Sequence, residues 1–323
     1  MKNLFRNHGA LIALVVLIIV NVGWQGSAFY NPDNLRNLLS QNSAKGIVAL
    51  GMTLVIISAG IDLSVGSMVG LLGVFCLLAM NKIGGDATLA GVLVCIFGGG
   101  LLGLLNGTLI TLGRIAPFVT TLAGLGAFRS LALAITQGGQ LTTTNETFQK
   151  IANDGVSIPF IKNKMGVSLE VYYPIFLFAI FAVLTWWILD KTIYGRRLIA
   201  TGANEQAARY SGINTNAVKV WAYVILGLLV GVASVCKTSQ LNSVAPGSSG
   251  LYMELDAIAA VVVGGTSLAG GRGKIGATVI GVLILGIIDN MLPVAGIDAN
   301  WQGCVKGVII LLAVLMQRGN TAR

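Results

Sequence analysis

The chain has 323 residues, 55% of them hydrophobic and only 10% charged, and its mean hydropathy is +0.82. Soluble domains carry roughly a quarter charged residues, so this composition excludes a soluble globular enzyme. Lys and Arg number 21 against 12 acids, a formal charge of +9, and in so apolar a chain the excess reflects orientation in a bilayer by the positive-inside rule rather than nucleic-acid binding.

Uncharged apolar runs recur from end to end. The first, Ala10 to Gly23, follows Lys2 and Arg6 and precedes Gly26-Ser27-Ala28, a pattern shared with secretory signal peptides. It is read as a membrane helix, because many spans follow and because Trp24, Phe29 and Tyr30 suit an interfacial belt. Further runs lie near 44–60, 63–81, 87–112, 115–136, 171–189, 217–240, 254–270, 275–293 and 302–317. The fold expected is an all-α polytopic membrane protein, one domain over 1–323 with about ten transmembrane helices. Around 44–70 and 254–290 the runs fall short of a bilayer and are interrupted by Gly60, Gly66, Gly264, Gly265, Gly270, Gly271 and Gly273, so short or broken helices are expected there.

With the amino terminus inside, the ten-helix arrangement puts Lys2, Arg6, Arg114, Lys191, Arg196, Arg197, Arg209, Lys219, Arg272, Lys274, Arg318 and Arg323 on the inner side. Arg36, Lys45, Lys82, Lys150, Lys162 and Lys164 fall outside, and Arg129, Lys237 and Lys306 inside or near the membrane. Both termini are therefore predicted to be cytoplasmic. Two polar segments do more than connect. Residues 136–170 form an external loop with room for a short helix, and 190–216 form a cytoplasmic loop. In the latter, Asn204 can cap a helix from Glu205 to Ser211, Gly212 can end it left-handed, and Ala207 and Ala208 offer a smooth face for docking. A plain solvated turn between spans is the alternative.

Several chemistries are absent from the pattern. Cys76, Cys95, Cys236 and Cys304 lie singly in apolar runs and His8 is the only histidine, so neither a metal site, a disulfide framework nor a Ser-His-Asp arrangement is suggested. The stretch Gly264 to Lys274 superficially resembles a phosphate-binding loop, but that loop needs a glycine where Leu268 stands and a hydroxyl where Ile275 stands. The chain is not expected to hydrolyse ATP; the stretch reads as a tight turn held at the cytoplasmic face by Arg272 and Lys274. Gly99, Gly103 and Gly107, and likewise Gly227 and Gly231, recur every four residues and predict close helix packing.

Ionisable residues at membrane depth are costly and so draw attention: Asp62, Arg129, Glu254, Asp256, Asp289 and Lys306. Asp62, between Gly60 and Ser64, either caps the helix that follows or contacts a solute. Glu254 and Asp256 open a span, where a helix amino terminus favours negative charge. An ion-coupled carrier would keep a carboxylate near the midplane, and only Asp289 is conceivable for that role.

Taken in order, Gly60-Ile61-Asp62-Leu63-Ser64-Val65-Gly66-Ser67, Leu105-Asn106-Gly107, Pro117 to Leu122, the loop from Tyr194-Gly195-Arg196 through Asn204-Glu205 and Ala207-Ala208-Arg209 to Ser211-Gly212-Ile213, and Glu254 to Ala260 running on into Gly264 to Gly271 resemble the permease subunits of bacterial ABC importers for monosaccharides, the branch that includes the ribose permease. The likeness runs from about residue 44 to the end. Departures are Ala203, where relatives often have a second glycine, and Val119-Thr120-Thr121, which varies a commoner pattern.

The resemblance implies a permease in the bacterial inner membrane, paired with a second copy or paralogue, with the solute path at their interface. Two ATP-hydrolysing subunits would lie beneath it and a periplasmic sugar-binding protein above, so ATP would be used by a partner and the chain would need no cofactor. Asn204, Glu205, Ala207, Ala208, Arg209, Ser211 and Gly212 would form the coupling helix that fits the ATPase. Arg36, Lys45 and the 136–170 loop would meet the binding protein. Asp62, Ser64, Asn106, Glu254 and Asp256 would belong to the path or to helix junctions. Ribose, or a similar pentose or hexose, is the expected cargo. A secondary ion-coupled carrier and a membrane-embedded enzyme are the alternatives.

Overall fold

In the computed structural model, residues 2–162, 168–298, 301, 303–305, 307 and 308 are described. Lys164, Lys306, Arg318, Arg323 and most of the 302–317 run lie outside them, as do the side chains of Lys2, Arg6, His8 and Lys162. Helices α1 (Lys2–Gln25), α2 (Pro32–Ile57), α3 (Val65–Ile83), α4 (Thr88–Thr111) and α5 (Pro117–Thr136) come first. A small layer follows, outside the long helices: strand β1 (Leu141–Thr142), helix α6 (Glu146–Asn153) and strands β2 (Gly155–Lys162) and β3 (Ser168–Tyr172). Helix α7 (Tyr173–Lys191) leads into α8 (Ile193–Ala203) and α9 (Glu205–Tyr210), and α10 (Thr215–Leu241) returns. Strand β4 (Ser243–Val244), the short α11 (Met253–Val263) and α12 (Ile275–Val294) complete the described elements.

Among the described residues, seven helices are long and apolar enough to cross a bilayer: α1, α3, α4, α5, α7, α10 and α12. Every apolar run up to 275–293 coincides with a helix, whereas the run at 302–317 falls largely outside the described residues, so the count among them stops short of ten. The interruptions fall where glycine predicted them. α2 stops at Ile57 and α3 starts at Val65, and α11, at 11 residues, is about 16 Å long, half a bilayer's hydrocarbon thickness.

α2 is the centre of the bundle, in contact with α7, α10, α11 and α12. From Gly46 to Ile57 it is buried on every side, which is why it reads as a continuous apolar run with no polar face. The tightest pair is α4 with α10. A Cβ added at Gly103 would stand 3.2 Å from the Gly227 Cα, and one at Gly107 would stand 3.0 Å from the Val220 Cα, so the two backbones touch.

The 136–170 segment holds more than the single short helix expected. β2 and β3 pair antiparallel, Gly155 opposite Tyr172 and Ile158 opposite Leu169, and β1 pairs with β4, Leu141 opposite Val244. Asn145 caps α6 by accepting from the Phe148 N–H at 2.9 Å, and Asn153 Nδ2 donates to the Gln240 carbonyl at 3.1 Å, fastening α6 to the C-terminal end of α10. Cys76, Cys95 and Cys236 are buried as small hydrophobes; Cys304, expected to pack likewise, is exposed.

Gly103→Val forces a side chain into the Tyr223 and Gly227 backbone and is expected to cost about 1–3 kcal/mol, read as a lower melting temperature in detergent. Gly126→Ala, at a position with open space, is expected to leave the melting temperature unchanged or slightly raised.

Candidate functional site

The 190–216 loop is a chain of capped turns. The Thr192 hydroxyl accepts from the Gly195 N–H at 3.2 Å to start α8, the Asn204 side chain accepts from the Ala207 N–H at 3.0 Å to start α9, and the Asn214 side chain accepts from the Ala217 N–H at 3.0 Å to start α10. α9 ends as the glycine spacing predicts: Gly212 has φ +81° and the Ile213 N–H returns to the Ala208 carbonyl at 3.1 Å. The Ser211 hydroxyl donates to the Ala207 carbonyl at 2.9 Å.

Charge fixes α9 to α10. Glu205 receives Arg209 at 3.2 Å and also pairs with Lys219, one turn into α10, while Arg209 donates to the Thr215 hydroxyl at 3.3 Å. Burial alone would push the Glu205 carboxyl up, but the Lys219 hydrogen bond and charge hold it below the ordinary carboxylate range.

One expectation is corrected here. Ala207 and Ala208 do not share a face: consecutive residues on a helix point about 100° apart, and Ala208 is buried against the bundle while Ala207 is exposed. The outward surface is made by Gln206, Ala207, Arg209 and Tyr210, the last of them 91% exposed. Tyr210 was not singled out by spacing; an aromatic at the last position of a capped polar helix is the signal that could have found it.

Asp62, Ser64 and Asn106 come together in the break between α2 and α3. Asp62 Oδ1 accepts from the Ser64 N–H at 2.8 Å and the Ser64 hydroxyl at 2.6 Å, and Asn106 Nδ2 donates to Asp62 Oδ2 at 3.2 Å and to Ser64 Oγ at 2.9 Å. The knot is sealed, with Asp62 and Asn106 each 1% exposed, and its donors and acceptors satisfy one another. The geometry is that of a helix junction, in which Ser64 rather than Asp62 occupies the capping position of α3.

Glu254 and Asp256 stand in the first turn of α11 but join different neighbours. Glu254 is buried beside Gly66, near Arg129, whose Nη1 donates to the Pro246 carbonyl and, at 2.6 Å, to the Ser249 carbonyl. Asp256 lies 3.1 Å from Lys45 Nζ, which also meets Asp289 at 2.7 Å. Lys45 was expected on the external surface. It lies about 20 Å along α2 from Pro32 at 1.5 Å per residue, and bridges α2 to α11 and α12 at depth instead. Arg36 stays near the start of α2, 3.4 Å from Asp33 and stacked 4.6 Å over the Tyr172 ring. The turn at 264–274 is held by backbone rather than by the exposed Arg272 and Lys274: the Ser267 N–H donates to the Arg272 carbonyl at 3.0 Å. A groove of about 890 Å³ between α4 and α10 is lined by apolar side chains such as Phe97, Leu101, Trp221 and Leu228, a poor match for a hydroxylated solute.

Asn106→Ala removes the donor shared by Asp62 and Ser64 and is expected to lower stability by about 1–3 kcal/mol, seen as a lower melting temperature in detergent. Lys45→Met leaves two carboxylates facing each other and is expected to lower it further than Lys82→Met, which alters an exposed residue.

Comparison with known proteins supplies the frame for this geometry. Residues 34–314 match the family described as the branched-chain amino acid transport system permease component. The ribose import permease RbsC of Bacillus subtilis (strain 168) is 43% identical over 316 residues, 97% of this chain and 93% of its own. RbsC of Escherichia coli (strain K12) is 39% identical over 309 residues, covering 95% and 92%. The xylose transport system permease XylH of the same strain is 33% identical over 373 residues, covering 100% and 94%. No solved structure matches. Neither the family nor these relatives point to an ion-coupled carrier or an enzyme. By identity, coverage and the bilayer-length helices together, the chain belongs to this family of membrane permeases.

Proposed function

We propose that this chain is the membrane-spanning subunit of an ATP-driven importer that moves ribose or a similar monosaccharide across the bacterial inner membrane, with both termini in the cytoplasm. The observation that carries the reading is the 43% identity to a ribose import permease across 97% of the chain. The family description names branched-chain amino acids, but the relatives aligned along nearly the whole length are pentose permeases. The chain itself binds no cofactor; ATP is hydrolysed by separate subunits beneath a pair of permeases.

In this reading α9 is the coupling helix. Its outward face of Gln206, Ala207 and Tyr210 enters a groove on the ATPase, with Ala207 permitting close approach and Tyr210 supplying contact area. Glu205 and Arg209 hold α9 against α10 through Lys219 and Thr215, while Ser211 and Gly212 close the end of α9, so that a push on α9 is a push on the bundle. A rigid-body step of this kind requires a stiff link. Outside, the sugar-binding protein meets the β2–β3 ribbon, where Phe160 is 94% exposed, and the neighbouring Arg36.

The test is affinity purification from native membranes in mild detergent with mass-spectrometric identification of the partners, followed by reconstitution into liposomes. An ATPase and a sugar-binding protein are expected to accompany the chain, and ribose uptake is expected to require ATP. A chain that purifies alone and drives uptake from an ion gradient without ATP overturns the reading. Ala207→Trp is expected to leave the permease in the membrane while cutting uptake about tenfold or more and uncoupling it from ATP hydrolysis. The same loss is expected of Gly212→Val, which opposes a φ of +81°. The Glu205 tie is present at neutral pH and is lost as pH falls through its lowered carboxyl pKa, so Glu205→Gln at pH 7 is expected to increase proteolytic cleavage between α9 and α10.

A further inference from the structure

Three segments far apart in the chain meet without intervening side chains: the end of α2, the end of α8 and the 264–274 turn. The Gly271 N–H donates to the Ile57 carbonyl at 2.9 Å, across α2's last turn. A Cβ added at Gly202 would run into that same carbonyl and stand 2.7 Å from the Gly271 nitrogen. One at Gly271 would stand 2.7 Å from the Ala203 Cα, and one at Gly270 would stand 2.8 Å from the Gly202 carbonyl oxygen and 2.9 Å from the Ala59 Cβ. Gly270 and Gly271 have φ of +85° and +70°, and Ala59, where α2 has just ended, has +61°. The Thr201 and Thr266 hydroxyls, which flank the contact, are buried with no hydrogen-bond partner among the described residues.

Backbone-to-backbone contact transmits displacement differently from side-chain contact. A side chain can change rotamer and absorb a shift of an ångström or two; peptide groups at van der Waals distance cannot, so whatever moves α8 moves Ile57 and Gly271 with it. What lies on either side of the joint gives that motion a direction. Asn204, two residues after Gly202, caps α9. Four residues after Ile57, the Ile61 carbonyl accepts from the Tyr223 hydroxyl at 3.1 Å, and Asp62 enters the knot with Ser64 and Asn106. On the third arm the Thr266 N–H donates to the Val261 carbonyl of α11 at 3.2 Å.

We infer that Gly202 and Gly271 are positioning residues of the transport step: they lock the end of α8, the break after α2 and the turn after α11 into one body, so that a displacement of α9 reaches the two interrupted helices undiminished. The inference rests on the reading of α9 as the coupling helix. It concerns a contact inside this chain, remote from the surface that would meet an ATPase.

The experiment uses the complete importer in liposomes, measuring ribose uptake and ATP hydrolysis in the same preparation. Gly202→Ala is compared with Gly276→Ala, a glycine of α12 with open space around it. Gly202→Ala is expected to hydrolyse ATP within about twofold of the unaltered importer while uptake per ATP falls about tenfold or more, and Gly276→Ala is expected to match the unaltered importer in both. Full uptake per ATP in Gly202→Ala overturns the inference alone. Failure of the unaltered importer to take up ribose with ATP overturns the functional reading and takes this inference with it.

Should Gly202→Ala not reach the membrane, spin labels decide the matter in a chain whose glycines are intact. Arg197 on α8, Arg272 in the turn and Lys82 at the outer end of α3 are all exposed, and pairs of them are replaced by cysteine in a Cys304→Ser background. The distance between the labels at 197 and 272 is expected to stay constant between nucleotide-free and ATP-bound states while that between 197 and 82 changes. Any other pattern overturns the inference.

Discussion

A helix interrupted inside a bilayer must return every freed peptide group to a partner, because hydrocarbon supplies none. The break between α2 and α3 meets that demand from four directions. Just past the end of α2, the Gly60 N–H turns back to the Val55 carbonyl at 3.0 Å and the Ser58 hydroxyl donates to the same carbonyl at 2.7 Å. Gly271 takes the Ile57 carbonyl, Tyr223 of α10 takes that of Ile61, and Asn106 of α4 holds the Asp62 carboxylate that orders Ser64. Elements from four parts of the sequence are thus committed to one place before any function is considered. Their committed positions also explain why α2 is enclosed on every side from Gly46 to Ile57.

The charged residues at depth follow from the same constraint. α11 begins inside the protein, and its exposed amide groups favour the carboxylates of its first turn, Glu254 and Asp256. A carboxylate at that depth needs a cation within reach, and α2 provides Lys45, which also serves Asp289 of α12. Arg129 supports the segment leading into α11 through the Pro246 and Ser249 carbonyls, doing for that loop what water would do outside the membrane. Half-helices, acidic first turns and buried cations form one arrangement, and each part makes the next tolerable.

How much of this could be read from residues alone divides along chain distance. Helix positions, the glycine interruptions at 60 and 264–273, the capped helix after Asn204 and the four-residue glycine spacing are local signals, and local signals were legible. Pairings across hundreds of residues were not: nothing near Lys45 announces Asp256 and Asp289, so its charge alone placed it outside. The β2–β3 ribbon escaped notice because its alternation is short and set among polar residues, which also suit a loop. Ala207 and Ala208 show the same limit on a smaller scale, since which of two adjacent alanines faces the bundle depends on where α10 lies. Asp62 was legible as a junction residue, whereas its partnership with Asn106, 44 positions away, required the fold.

The glycine seam between α4 and α10 carries a consequence for how the protein is made. α4 ends at Thr111 and α10 does not begin until Thr215, so at ribosomal rates of about 5–20 residues per second α4 leaves the ribosome roughly 5–20 s before its partner. During that interval the face of Gly99, Gly103 and Gly107 is a shallow channel along α4 with nothing of its own chain to fill it. Lipid or the insertion machinery must occupy the channel and then give way to α10, so biogenesis includes a displacement that only the smallest side chains on both helices allow to run to completion.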